Sequence, residues 1–202
     1  MKYIAIDTSG KTLTVIAVNG DREDVFFDPE CNLNHSITLM PALEIIAKKV
    51  NLDIKETDFF VCTLGAGSFT GIRIGVSTVK ALCYAFNKPC LPLTTFDAIA
   101  YNRQDEKVLA VINAKHGHYY VAGYDKTKMV ISPEYISEED VKKLSAEYSV
   151  LSFEEIPVEN STAVMLAEGI KNYVRKNFDK VSSDLSCLTP VYVRKSQAEE
   201  GR

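Results

Sequence analysis

Phe59–Thr63 is an unbroken apolar run, and it leads directly into Gly65-Ala66-Gly67-Ser68-Phe69-Thr70-Gly71. A strand that is apolar on both faces must be covered on both, which is the setting of a parallel strand between helical layers. Beyond the glycines, Ile72, Val76, Val79, Cys83 and Phe86 fall on one helical face, and Asn87-Lys88-Pro89 ends that helix before a short strand, Cys90–Leu93. Strand, tight glycine loop, helix and strand in this order commit the chain to the α/β class.

The remaining periodicities extend this frame in both directions. Upstream, Tyr3–Ile6, Leu13–Val18 and Asp24–Phe27 read as strands, with Asn19-Gly20 supplying the positive φ angles of a tight hairpin. Leu39, Leu43, Ile46 and Val50 then form a helical stripe, with Thr38 as N-cap and Pro41 in the first turn. The first half is thus β-β-β-α-β-α-β. The polar stretch Asn102-Arg103-Gln104-Asp105-Glu106 marks a boundary. The second half reads as a shortened copy of the first: when Lys2–Gly10 is laid on Lys107–Lys115, Val15-Ile16-Ala17 falls on Tyr120-Val121-Ala122 without a gap. A helix is expected to start at Ser137-Glu138-Glu139-Asp140, followed by a strand at 150–153. A last helix carries Ala163, Ala167, Ile170, Val174 and Phe178, capped by Ser161 or Asn160. The expected division is residues 1–104, 105–188 and a C-terminal segment 189–202 that packs back at first and is loose after Arg194.

Composition narrows the function. With 46% hydrophobic residues in 202, the chain can bury a core. Its net charge of -4 is spread, with no Lys/Arg run to follow a phosphate backbone, so strong direct nucleic-acid binding is not expected. The five cysteines are odd in number and lack a Cys-x-x-Cys pair, which suits reduced, buried thiols. The first residues lack an apolar signal core, and no stretch reaches the ~20 apolar residues of a membrane span, so a cytoplasmic protein is expected.

Two segments have the composition of a binding site. The loop Gly65, Gly67, Ser68, Thr70 and Gly71 puts backbone N–H groups at a helix start, where an anion such as the phosphates of ATP or ADP could sit. It lacks the Gly-Lys-Ser/Thr of a Walker loop and the acid that a dinucleotide fingerprint places ~20 residues on. The plainer reading is a tight turn capped by Ser68 or Thr70. Asp7-Thr8-Ser9-Gly10, at the end of the first strand, could orient a Mg²⁺ ion or a water, or could simply form an Asx turn. The matching turn of the second half, Asn113-Ala114-Lys115-His116-Gly117, offers no carboxylate. His116 and His118 have no third ligand near them in sequence, so no metal site is expected. With three histidines in all, no Ser-His-Asp order stands out.

Taken together, Ile4-Ala5-Ile6-Asp7-Thr8-Ser9, His35-Ser36 ahead of Leu39-Met40-Pro41, the string from Gly65 to Gly75, and Pro190-Val191-Tyr192-Val193-Arg194 resemble the TsaB (YeaZ) family. The resemblance is strong over about the first hundred residues, faint through the second half, and returns at Pro190. It implies an actin-like, RNase H-like fold of the ASKHA group, with two similar α/β subdomains of which the second is reduced. It also implies a non-catalytic scaffold that pairs with TsaD, the transferase, and works with the ATPase TsaE. That machinery places a threonylcarbamoyl group on adenosine 37 of tRNAs reading codons that begin with A. On this reading no cofactor is required, ATP or ADP is an optional ligand, and tRNA is met only through the complex. Thr95 and Ile99 stand where catalytic relatives carry a metal-binding His-x-x-x-His pair, and neither offers an imidazole. The implied partner surface comprises His35, Leu39, Leu43, Ile46, Arg73, Val76, Lys80 and Cys83, and the same surface would make a homodimer of the isolated chain. Two departures stand out: Asn113-Ala114-Lys115 replaces the usual Asp-Ala-Arg, and Ala66 stands in place of Pro, which loosens the loop slightly. The competing reading is an active small-molecule kinase or ATPase of the same superfold, which requires acids in both halves.

Overall fold

The computed structural model describes residues 1–31, 34–104 and 106–194. Three antiparallel strands come first: β1 (Lys2–Asp7), β2 (Leu13–Asn19) and β3 (Arg22–Asp28). They are followed by α1 (His35–Lys49), β4 (Phe59–Thr63), α2 (Phe69–Phe86), β5 (Cys90–Leu93) and α3 (Thr95–Ala100). The series then repeats as β6 (Lys107–Lys115), β7 (His118–Asp125), β8 (Lys128–Ser137), α4 (Glu138–Leu144), β9 (Ser149–Ser152), β10 (Thr162–Ala163) and α5 (Leu166–Asn177).

The two sheets have one topology. In the first, the order is β3-β2-β1-β4-β5, with antiparallel pairs on the β2 side of β1 and parallel pairs on the β4 side. In the second, β8-β7-β6-β9-β10 repeats that order and those directions. The reduction falls on the helical layer: α4 has 7 residues where α1 has 15, and no helix joins β9 to the two-residue β10.

Two compact units result among the described residues, Met1–Thr94 with Val174–Val191, and Thr95–Tyr173 with 192–194; the tail after Arg194, expected to be loose, lies outside the described residues. The first change of unit comes ahead of the polar stretch at 102–106, because α3 packs on β6, β7 and β9 of the second sheet. The core of the first unit joins Ile4, Ile6 and Phe60 of the sheet to Leu43 of α1 and Val79 of α2. In the second unit, Leu109, Val111, Tyr119 and Val121 close over Val141 of α4. No helix among the described residues is long and apolar enough to cross a membrane.

Several element ends differ from the sequence expectation, each for a physical reason. Helix α1 begins at His35 with Asn34, not Thr38, at its N-cap, so Pro41 lies in the second turn. Burial of six residues, His35, Leu39, Ala42, Leu43, Ile46 and Ala47, outweighs the backbone bond that Pro41 cannot make. His35 also anchors the start, its Nε2 lying 3.0 Å from the Thr12 carbonyl. Helix α2 begins at Phe69, three residues ahead of Ile72, because Ser68 caps it. Helix α5 begins at Leu166, since Thr162 and Ala163 pair with Leu151 and Ser152 and neither Asn160 nor Ser161 caps a helix. Strand β8 and the short α3 gave no periodic signal of their own; β8 is an edge strand whose residues stay exposed or half-buried.

Candidate functional site

The glycine loop and the Asp7-Thr8-Ser9 turn meet at the ends of the neighbouring parallel strands β1 and β4. One backbone and one side-chain hydrogen bond lock them together. The Ser68 N–H donates to the Ser9 carbonyl at 2.6 Å, and the Thr8 hydroxyl donates to the Gly71 carbonyl at 2.7 Å. Ser68 caps α2, its Oγ accepting from the Gly71 N–H at 3.2 Å, while its carbonyl accepts from Ile72 at 2.9 Å. A Cβ added at Gly67 would come within 2.1 Å of the Ser9 carbonyl oxygen, and one at Gly71 within 2.1 Å of the Thr8 carbonyl oxygen. The glycines therefore serve the approach of the chain to itself.

Asp7 is fully buried at the floor of this junction. Its Oδ1 accepts from the Ser9 hydroxyl at 2.7 Å and from the Ser9 N–H at 3.3 Å, and Oδ2 has no hydrogen-bond partner. Burial pushes the Asp7 carboxyl up, against the opposing effect of the Ser9 hydrogen bonds. At the other end of the loop the Val191 N–H donates to the Leu64 carbonyl at 2.8 Å. Asp7, Thr8, Ser9, Gly65, Gly67, Ser68 and Gly71 are thus one cluster, with Thr70 exposed on the first turn of α2. The Ser68 and Gly71 N–H groups and the Thr8 and Ser9 hydroxyls, which a phosphate would need, are engaged within the chain.

The turn of the second unit is built differently. Lys115, His116 and Gly117 all have positive φ, and the Asn113 carboxamide oxygen accepts from the Lys115 N–H at 2.8 Å. Asn113 is thus a turn-forming residue. His118 stacks on Tyr135 at 4.8 Å between centroids, away from any ligand set. Among the described residues no group of three His, Cys, Asp or Glu side chains could hold a metal ion.

The expected partner surface needs correction. His35, Leu39, Leu43, Ile46, Val76 and Cys83 are buried and, apart from His35, belong to the core of the first unit. They hold α1 and α2 on the sheet rather than forming the surface, although Leu39 also reaches the floor of the groove between the helices. Arg73 remains exposed, its guanidinium 3.8 Å from the Phe69 ring centroid, and Lys80 is half-buried. The opposite side of the same helices is apolar as well. On α1, Ile37 is 74% exposed, with Met40 and Ile45 beside it on the surface; on α2, Tyr84 is 86% exposed. Ser36, Met40, Phe69, Arg73, Ile74 and Ser77 line a shallow groove between the helices. Ser77 and Ala81, both small and exposed, continue the outer face of α2 one turn apart. A signal for this face exists in the sequence: Ile37, Met40 and Ile45 lie at i, i+3 and i+8, a second stripe out of phase with Leu39, Leu43 and Ile46.

A β-β-β-α-β-α-β unit, a second copy lacking the later helix, and a turn-to-glycine-loop junction define the class: an actin-like, RNase H-like α/β protein of the ASKHA group. A family model described as "TsaD: tRNA N6-adenosine threonylcarbamoyltransferase" matches residues 29–186. The chain is 28% identical over 126 residues to the tRNA threonylcarbamoyladenosine biosynthesis protein TsaB of Bacillus subtilis, covering 61% of this chain and 55% of that protein. It is 26% identical over 162 residues to the protein of the same name from Escherichia coli, covering 73% and 69%. The solved structure of YeaZ from Pseudomonas aeruginosa superposes with a TM-score of 0.79 over 95% of this chain and 99% of that one, at 19% identity. The chain belongs to the TsaD family of threonylcarbamoyltransferase proteins, and within it to the TsaB (YeaZ) group.

Proposed function

We propose that this chain is a non-catalytic subunit of tRNA threonylcarbamoyladenosine biosynthesis, acting in the cytoplasm. It docks on the catalytic subunit TsaD, supports TsaE, and reaches adenosine 37 of tRNA only through the complex. The observation that carries this reading is the outer side of α1 and α2, where Ile37, Met40 and Ile45 on α1 and Tyr84 on α2 are exposed, Met40 also lining the groove between the helices. Large apolar side chains left exposed on the outer side of a helix mark an interaction surface, and small residues such as Ser77 and Ala81 let another helix approach closely. The same face would pair two copies of the isolated chain. The non-catalytic assignment is supported by Asp7, whose carboxylate is buried beneath its own turn, and by Asn113 in the place where the second unit would need an acid. No cofactor is required on this reading, and the Ser68 and Gly71 N–H groups of the loop already serve the fold.

The test is threonylcarbamoyl transfer to tRNA by the cognate TsaD and TsaE, supplied with the activated intermediate, with and without this chain. Product is expected only when the chain is present, and at an undiminished level with the Asp7→Asn variant. Equal product without the chain overturns the proposal and brings forward the kinase reading.

A further inference from the structure

Three of the five cysteines meet at one point of the first unit, outside the junction and the helix face described above. Cys83 comes from the last turns of α2, Cys90 opens β5, and Cys187 ends a 3₁₀ turn, Leu185–Cys187. Cys90 Sγ and Cys187 Sγ lie 3.5 Å apart although 97 residues separate them along the chain. Cys83 lies beside Cys90 in the fold, its Sγ 3.7 Å from the carbonyl of the adjoining Pro89. Cys83 and Cys90 are buried, whereas Cys187 is half-buried against the core.

The place where they meet matters. β5 is the outer strand of its sheet, and the chain from Ser182 to Val191 runs from that strand to the glycine loop. Cys90 and Ser182 exchange backbone hydrogen bonds of 2.8 Å at one end, and the Val191 N–H reaches the Leu64 carbonyl at the other. Between these anchors the segment bonds largely to itself, through Asp184 to Ser186 and Ser186 to Thr189. Leu188, fully buried in the core, and the contact between Cys90 and Cys187 are side-chain ties in the middle of this span.

We propose that Cys90 and Cys187 form an oxidation site, at which a hydroperoxide converts the two thiols into a disulfide that clamps residues 182–191 onto the open edge of β5. Cys187, the least buried of the three, attacks one peroxide oxygen as thiolate; the O–O bond breaks, hydroxide or alkoxide leaves, and a sulfenic acid remains. The Cys90 sulfur then attacks the sulfenic sulfur, an S–S bond forms, and the S–OH oxygen departs as water with the Cys90 proton. Two thiols are oxidised by two electrons, and the peroxide is reduced to two molecules of water, or to water and an alcohol. Burial, with the Cys90 contact, pushes the Cys187 thiol up to about 11. The thiolate is therefore scarce at neutral pH, and the rate rises about tenfold per pH unit between pH 8 and 10. Cys83 is the competing partner, since its attack on Cys90 of the disulfide returns Cys187 as a thiol.

The experiment treats the full chain with hydrogen peroxide at pH 8.5, alkylates the remaining thiols in denaturant, and maps the peptides by mass spectrometry. Two of the five thiols are expected to disappear, in a peptide linking Cys90 to Cys187, with a higher melting temperature that dithiothreitol reverses. Cys187→Ser, a near-isosteric change at a half-exposed position, is expected to abolish the link, and Cys83→Ser to preserve it. Cys187 accumulating as sulfinic acid with no linked peptide overturns the proposal. So does a link between Cys83 and Cys90 that forms equally in wild type and in Cys187→Ser.

Discussion

Gly71 and Gly20 illustrate how little a glycine says until its surroundings are known. A methyl at Gly71 meets the Thr8 carbonyl oxygen at 2.1 Å, while one at Gly20 meets nothing within 4 Å and carries only the strain of φ +64°. Gly71→Ala is therefore expected to cost about 1–3 kcal/mol, as overpacking does. Gly20→Ala should cost about 1 kcal/mol, the left-handed penalty alone. Urea unfolding midpoints of the two variants check the difference. Asp7 gives a pH signature. Its folded carboxyl holds its proton to a higher pH than the unfolded one, so between the two pKa values the folded state binds more protons and stability falls as pH rises. Asp7→Asn removes this dependence. Its stability relative to wild type is expected to increase as pH rises from about 3 through the ordinary carboxylate range and above, as followed by denaturation at fixed pH values.

Elements follow the sequence wherever one face is buried and the period is clear. β1, β2, β4 and β5 lie where their apolar runs put them, and α2 keeps its stripe of Ile72, Val76, Val79 and Cys83 buried. Ends are where tertiary contacts decide. Pro41 signals a helix start by its chemistry, yet α1 continues a turn upstream because His35 and Leu39 gain burial there. The helix carries that proline at a cost, and Pro41→Ala, at an exposed position, is expected to raise stability by about 1–3 kcal/mol in thermal or urea unfolding. Helix α4 shows the opposite case, a start that its local sequence specifies. Ser137 caps the Asp140 N–H at 3.3 Å, and its hydroxyl bonds Asp140 Oδ2 at 2.8 Å. Ser137→Ala should cost about 1 kcal/mol and fray a helix of only 7 residues, which amide exchange across residues 138–144 would detect.

For the molecule as a partner, the two sides of α1 make opposite predictions. A charge at Leu43, which is fully buried, is expected to prevent folding of the first unit. A charge at Ile37 or Tyr84, 74% and 86% exposed, should leave circular dichroism and melting unchanged. These same variants should weaken self-association and co-elution with TsaD by tenfold or more, the scale of a central apolar contact. Unchanged co-elution of Ile37→Glu and Tyr84→Glu would move the partner surface elsewhere.

The residues alone determined the α/β class and the duplication, and they marked the Asp7 turn and the glycine loop as two separate candidate segments. These depend on local chemistry, since apolar period, hairpin residues and glycines act over a few positions. Three matters were left to the tertiary structure. One was that the loop's Ser68 N–H serves the chain's own turn, because a backbone approach between Ser9 and Ser68 is invisible in a linear string. Another was which of two apolar stripes on α1 faces inward, because both have helical period and only packing against β2 and β3 separates Leu43 from Ile37. The third was the meeting of Cys90 and Cys187, remote along the chain, which only the return of the C-terminal segment to β5 produces.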